Sequence, residues 1–295
     1  AVDFIIDKIY GDSGNDKIYG GNGNDSLYGG KNNDSIDGRA GADKIYGQYG
    51  TNTLKGGTGN DSIYGGTGKD YIYAGSGNDY VSGGKGNDVI VGNTGSNKIY
   101  GGAGNDTITG GSGNDYIDGG DNSDVIKCGA GNNIIIGGKG NDNITSGSGA
   151  NIFRFNKGDG TDTVISGSNT DTIEFGGDIS NAVCTKSNND LIISYSDTDK
   201  IVLKDYFTIE HSVRYIKYKD SETPDQNLLR GAKSIADRID VGMILLGVSD
   251  DDLVKLDPIF AANPGFVKPN LKLSVYKNRR GAYKGVYLWC NADLG

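Results

Sequence analysis

Lys98-Ile-Tyr-Gly-Gly-Ala-Gly-Asn-Asp106 runs directly into Thr107-Ile-Thr-Gly-Gly-Ser-Gly-Asn-Asp115, and their shared nine-residue frame extends without insertion or deletion from Lys8 to Asn151, sixteen units in all. Regularity of this kind over half a chain decides its architecture. The second position of every unit is aliphatic, from Ile9 and Ile18 to Ile135 and Ile144, while the first and third are polar, Tyr or, less often, apolar. One inward side chain between two outward ones describes a three-residue strand.

The remaining six positions read Gly-Gly-x-Gly-Asn-Asp or a near variant. Gly with Asn and Asp supplies the positive-φ turns that reverse a chain between short strands. Two units then close one eighteen-residue coil, and eight coils stacked about 4.8 Å apart make a rod on the order of 40 Å long. The expected fold is all-β, a right-handed parallel β-roll. Local departures are Asn32 and Asn122 at the third turn glycine, Arg39 and Gln48 at the second, and Cys128 and Ala74 at the first.

One aliphatic side chain per nine residues is little apolar burial against the entropy of ordering nine residues of backbone. The ninth position supplies a second binding force. It is Asp in twelve units (Asp16, Asp25, Asp34, Asp43, Asp61, Asp70, Asp79, Asp88, Asp106, Asp115, Asp124 and Asp142) and Asn in four (Asn52, Asn97, Asn133 and Asn151). Rows of Asp one coil apart repel unless a cation lies between them, and a hard divalent cation wants six to eight oxygens of the carboxylate and carbonyl kind.

The repeat resembles the RTX, or haemolysin-type, calcium-binding nonapeptide family, whose pattern Gly-Gly-x-Gly-x-Asp it follows. That resemblance implies Ca2+ as the cofactor, held between turns on the same edge of adjacent coils by turn carbonyls and by the twelve Asp, partnered eighteen residues apart. On the edge of the odd-numbered units, Asp70 to Asp142 form an unbroken series and Asp16 with Asp34 a separate pair. On the other edge Asp25 to Asp79 are unbroken, whereas Asn97, Asn133 and Asn151 deplete the C-terminal end, which is expected to bind weakly or not at all. The alternative reading is a metal-independent solenoid whose Asn and Asp cap turns.

The 295 residues carry 51 Gly, only 35% apolar residues and a net charge of −9. The first 220 residues hold nineteen Lys and Arg against twenty-nine Asp and Glu, so the acidity belongs to the repeat, a balance that argues against nucleic-acid binding by the roll. Three scattered cysteines make no disulfide framework, and one histidine, His211, removes most zinc and Ser-His chemistry. No catalytic constellation stands out, and the protein is not expected to be an enzyme. No apolar run is long enough to span a bilayer and no signal peptide is visible. The sole methionine is Met243, so the chain reads as a fragment or processed product, and the resemblance implies an extracellular parent with its effector domain upstream.

Residues 1–151 are read as the roll, with a lead-in strand near Phe4 to Ile6, and 152–220 as a β-rich cap with strands at Asp171 to Phe175, Leu191 to Tyr195, Lys200 to Leu203 and Val213 to Tyr218. Asp159 and Asp162 suit either another ion or turn and strand-edge roles. Residues 221–295 change character: Gly falls to seven, and helices are expected after Pro224 and Ser249, a buried strand over Val241 to Leu246, and a hairpin around Lys277 to Gly281. Leu229 to Ile244 and Tyr276-Lys-Asn-Arg-Arg-Gly281 resemble the end of the ATPase domain of DnaB-type replicative helicases, an incomplete RecA-like α/β fragment. The resemblance implies an arginine-finger role for Lys277 and Arg279. No Gly-x-x-x-x-Gly-Lys-Ser/Thr cradle accompanies it.

Overall fold

The computed structural model describes residues 6–206 except 169, 178, 180 and 181, together with 213, 215–218, 274–276 and 285–287. All regular structure among these residues is β-strand. Strands of odd-numbered units form one parallel sheet and those of even-numbered units a second, each pairing its residues with those eighteen positions on, as Ile99 with Ile117 and Ile90 with Ile108. This is the parallel β-roll that the period implies. The second-position aliphatics from Ile18 to Ile144 fill the space between the sheets, none more than 5% exposed.

All but the first and last strands of the repeat, Lys8–Tyr10 and Asn143–Thr145, are longer than three residues. Most run for six, such as Lys98–Ala103, because pairing continues through the two glycines, Gly102 opposite Gly120. The fourth position also points inward, and its Gly carries no side chain to reveal this in a hydrophobic pattern. The fifth position bends the strand with positive φ, and there Arg39 (φ 75°) and Gln48 (φ 73°) stand where most units have Gly. A left-handed conformation costs a non-glycine residue about 1–2 kcal/mol. Gln48→Gly is therefore expected to raise stability by on the order of 1 kcal/mol, read as a higher thermal midpoint in calcium.

Tyrosines cover the outside of the odd-unit sheet in a continuous stack, Tyr10, Tyr28, Tyr46 and Tyr64, with centroids 4.7–4.9 Å apart. The stack continues through Tyr80, Tyr100 and Tyr116 by shifting between third and first positions. Such ladders add cross-strand aromatic contact to the hydrogen bonds of the sheet.

Both sheets continue past the repeat. Ile152–Phe155 pairs parallel with Ile134–Lys139, and Thr161–Ile165 with Asn143–Thr145. The even-unit sheet then turns antiparallel through Lys200–Leu203, Asp190–Ser194 and Val183–Ser187, and this last strand closes it. The aliphatic column gives way to Phe153, Phe155, Phe175, Leu191 and Ile201. Ser274–Tyr276 and Gly285–Tyr287 pair antiparallel. The expected helices, the strand over 241–246, the Lys277 to Gly281 turn and His211 fall outside the described residues, as does most of the lead-in strand. No helix among the described residues is long and apolar enough to cross a membrane.

Candidate metal centre

The ninth residue of each unit lies at the turn into the next strand with its side chain folded inward. Of the twelve Asp, Asp16 is half-buried and the other eleven are buried. One carboxylate oxygen is spoken for along each edge: Oδ1 accepts the backbone N–H of the residue one coil earlier, as Asp106 N–H donates to Asp124 at 2.7 Å and Asp25 N–H to Asp43 at 2.7 Å. These bonds place Asp16, Asp34, Asn52, Asp70, Asp88, Asp106, Asp124 and Asp142 along one edge. Asp25, Asp43, Asp61, Asp79, Asn97, Asp115, Asn133 and Asn151 line the other.

The second oxygen has no partner. Oδ2 of all twelve Asp, and of Asp162, is buried without a hydrogen bond. Outside the unit of Asp79, where Ala74 stands, it faces the fourth-position glycine of its own unit. A Cβ there would overlap this oxygen and, in most units, the fourth-position carbonyl of the next coil: Asp106 Oδ2 and the Gly119 carbonyl at Gly101, Asp124 Oδ2 and the Gly137 carbonyl at Gly119. Two oxygens thus approach a space that glycine leaves open.

Burial acts on these acids first. Loss of hydration pushes Asp61, Asp70 and Asp106 up to about 7, and Asp124 up to about 8, against the opposing effect of the backbone N–H bond and with help from neighbouring carboxylates. Asp115 and Asp142 are pushed up to about 6 by the same cause, and Asp34, Asp43, Asp79 and Asp88 are also raised. An unpaired buried carboxylate must take a proton or a cation.

The donor set fits a hard cation. It is oxygen alone, carboxylate and carbonyl, without the nitrogen and sulfur that zinc or copper sites use. Among the described residues no three Asp, Glu, His or Cys converge on one point, so backbone carbonyls would have to complete any shell.

The edges also hold what the repeat frame concealed. Asp162 follows Asp142 and Asp171 follows Asn151, each after twenty residues instead of eighteen. Asp162 is raised to about 8 by burial, like its predecessors. Asp159 takes a turn role, accepting the Asn156 N–H at 2.6 Å. A second ladder lies outside the first: the eighth-position Asn accepts from the following coil, as Asn60 does from Asn78 N–H and Asn105 from Ser123 N–H. The two ladders therefore tie each coil in opposite directions. The recurrence of Gly-Asn-Asp across many units was the available signal for this outer row. At Asn52 the amide Nδ2 replaces the open oxygen and is itself unpartnered, which interrupts the odd-unit edge between Asp34 and Asp70.

Residues 10–45, 20–54, 46–81, 82–117, 91–126 and 118–153 match the family described as RTX calcium-binding nonapeptide repeat. Over 72 residues the chain is 38% identical to the SPbeta prophage-derived uncharacterized protein YorI of Bacillus subtilis strain 168, a match that covers 24% of this chain and 14% of that protein. The extracellular lipase LipA of Serratia marcescens aligns with 65% of this chain and 38% of its own at 22% identity, with a TM-score of 0.28, too low to bear on the fold. These comparisons lend no support to the helicase-like reading of the tail, whose carrying residues lie almost wholly outside those described. The buried Asp rows and the matched repeats together make the roll over residues 10–153 an array of RTX calcium-binding nonapeptide repeats.

Proposed function

We propose that the roll binds calcium along both edges through the twelve Asp and folds as it does so, serving as the calcium-dependent module of a secreted or cell-surface protein whose effector domain lies elsewhere in the parent. The observation that carries this reading is the row of buried Oδ2 atoms without partners, repeated in every Asp-ended unit. A metal-independent solenoid accounts for the Oδ1 ladder but leaves those oxygens unexplained. Bound calcium would supply positive charge between carboxylates of adjacent coils. The chain's own part is to present Oδ2 and the turn carbonyl on a frame already fixed by the Oδ1 bond. For residues 221–295 the proposal is a separate fragment related to a replicative helicase, without a phosphate cradle and without a share in calcium binding.

Calorimetric titration of two variants tests the assignment. Asp106 lies between Asp88 and Asp124 on an unbroken run, so Asp106→Ala is expected to lower the calcium stoichiometry and to weaken the sites that remain beside it. Asn133 lies between Asp115 and Asn151, and Asn133→Ala is expected to leave the stoichiometry unchanged while costing turn stability of about 1 kcal/mol. Equal losses of calcium would mean that the terminal Asp has a structural role alone.

A further inference from the structure

The C-terminal end of the even-unit edge is built differently from the rest. Asn133 Nδ2 donates to Asn151 Oδ1 at 2.9 Å, and Asn151 Nδ2 donates to Asp171 Oδ1 at 2.9 Å. Asp171 Oδ1 also accepts the Asn151 backbone N–H at 3.0 Å, while its Oδ2 accepts the hydroxyls of Ser146 at 2.7 Å and Ser166 at 2.8 Å. Asp171 is fully buried, as are Asn133 and Asn151, and none of the three has an orphaned polar atom. The glycine space is closed as well. Cys128 stands at the fourth position of the unit that ends in Asn133, and Ser146 at that of the unit ending in Asn151. Amide donors occupy the place of the open oxygens, and side chains occupy the place of the gap.

We propose that this edge, from Asn133 through Asn151 to Asp171, is closed to cations and holds its coils together by side-chain hydrogen bonds, so that a C-terminal segment of the roll stays folded when calcium is withdrawn. This inference rests on the calcium reading of the other units. The lock sits at the entry to strands Ile134–Lys139, Ile152–Phe155 and Thr172–Phe175, which are consecutive neighbours in one sheet. Among the described residues these strands carry the largest fully buried apolar side chains, with Phe155 against Phe175 at 6.4 Å and Phe175 against Tyr195 at 4.9 Å. Arg154 and Glu174 pair across the same strands at 2.6 Å. Satisfied polar groups and a thicker core here replace the force that the ion supplies elsewhere. The opposite edge of these coils keeps the open carboxylates of Asp124, Asp142 and Asp162, so the retained structure centres on the three named strands.

Hydrogen–deuterium exchange of the full chain, in calcium and in chelator at about pH 8, where the open carboxyls no longer hold protons in place of the ion, tests this. In chelator, amides of residues 134–136, 152–155 and 172–175 are expected to exchange at least about tenfold more slowly than those of residues 26–103. The double substitution Asn133→Asp with Asn151→Asp removes both amide donors while Cys128 and Ser146 still fill the fourth-position space, and it is expected to remove that residual protection without raising the calcium stoichiometry of the folded protein. Calcium binding by the parent with uniform loss of protection in chelator would overturn this inference alone. A parent that takes up no calcium and is equally protected in both buffers would overturn the calcium reading, and this one with it.

Discussion

In excess chelator the roll is expected to lose most of its β-structure at about pH 8, all but the strands held by the Asn133–Asn151–Asp171 edge, and to regain it, still without metal, at about pH 5. The sign follows from the direction of the shifts. Burial raises the folded-state values of Asp61, Asp70, Asp106, Asp124 and Asp162 from an ordinary 3.8 to about 7 or 8, so across that interval the folded chain holds more protons than the unfolded one. Stability is then fully present below the ordinary value and is lost as pH rises through the folded one, at up to about 1.4 kcal/mol per pH unit for each such carboxyl. Calcium removes the need for the proton, and in its presence the spectrum is expected to stay constant from about pH 6 to 8. Far-UV circular dichroism in chelator across this range is the measurement. A metal-free spectrum that is native at pH 8, or unfolded at pH 5, would contradict the account of the open oxygens.

The second large effect is expected at a turn glycine. At Gly104 the backbone has φ +132°, and a Cβ would run into the Gly86 carbonyl of the preceding coil. That neighbour is backbone held in its own coil and has nowhere to move. Gly104→Ala is expected to cost about 3 kcal/mol or more, the sum of a nearly glycine-only conformation and of overpacking. At Gly177 a Cβ would meet nothing within 4 Å, and Gly177→Ala serves as a control expected to fall within about 0.5 kcal/mol of the parent. Calcium-saturated thermal unfolding of both variants reads the difference. Asn32 and Asn122 occupy positions equivalent to Gly104, and both do so at φ 80°, closer to the left-handed region that asparagine tolerates.

Much of this was legible in the period alone. A nine-residue frame with one aliphatic position sets the two sheets, the eighteen-residue register and the grouping of Asp into edges, because in a solenoid sequence spacing is spatial spacing. Where the frame slips, that equivalence fails. Two extra residues between Asn151 and Asp171 remove the latter from the count, although it completes the same edge. The inward fourth position was illegible for another reason: a glycine that leaves room for a carboxylate looks in sequence like any other turn glycine. Cys128 reads as a departure from the repeat until Asn133, five places later, is seen to need no room, and Ser146 stands in the same relation to Asn151. The tyrosine stack survives a change of column at Tyr80 and Tyr116, which a fixed-position reading breaks into unrelated residues.

The backbone hydrogen bonds of residues 8–151 and both side-chain ladders run from coil to coil, along the rod. Mechanically this makes the two directions of loading unequal. Force spread evenly over the rod's axis is shared by all the bonds of a coil at once, whereas force on the chain at one end of the rod meets only the bonds of the outermost coil. That coil peels off and leaves the next in the same position. Each coil detached lengthens the rod's tether by eighteen residues, about 60 Å of extended chain, in exchange for about 4.8 Å of rod. The roll is thus a store of length released in even steps, and under the proposed calcium binding an ion between coils would set the force at which the next step is given up.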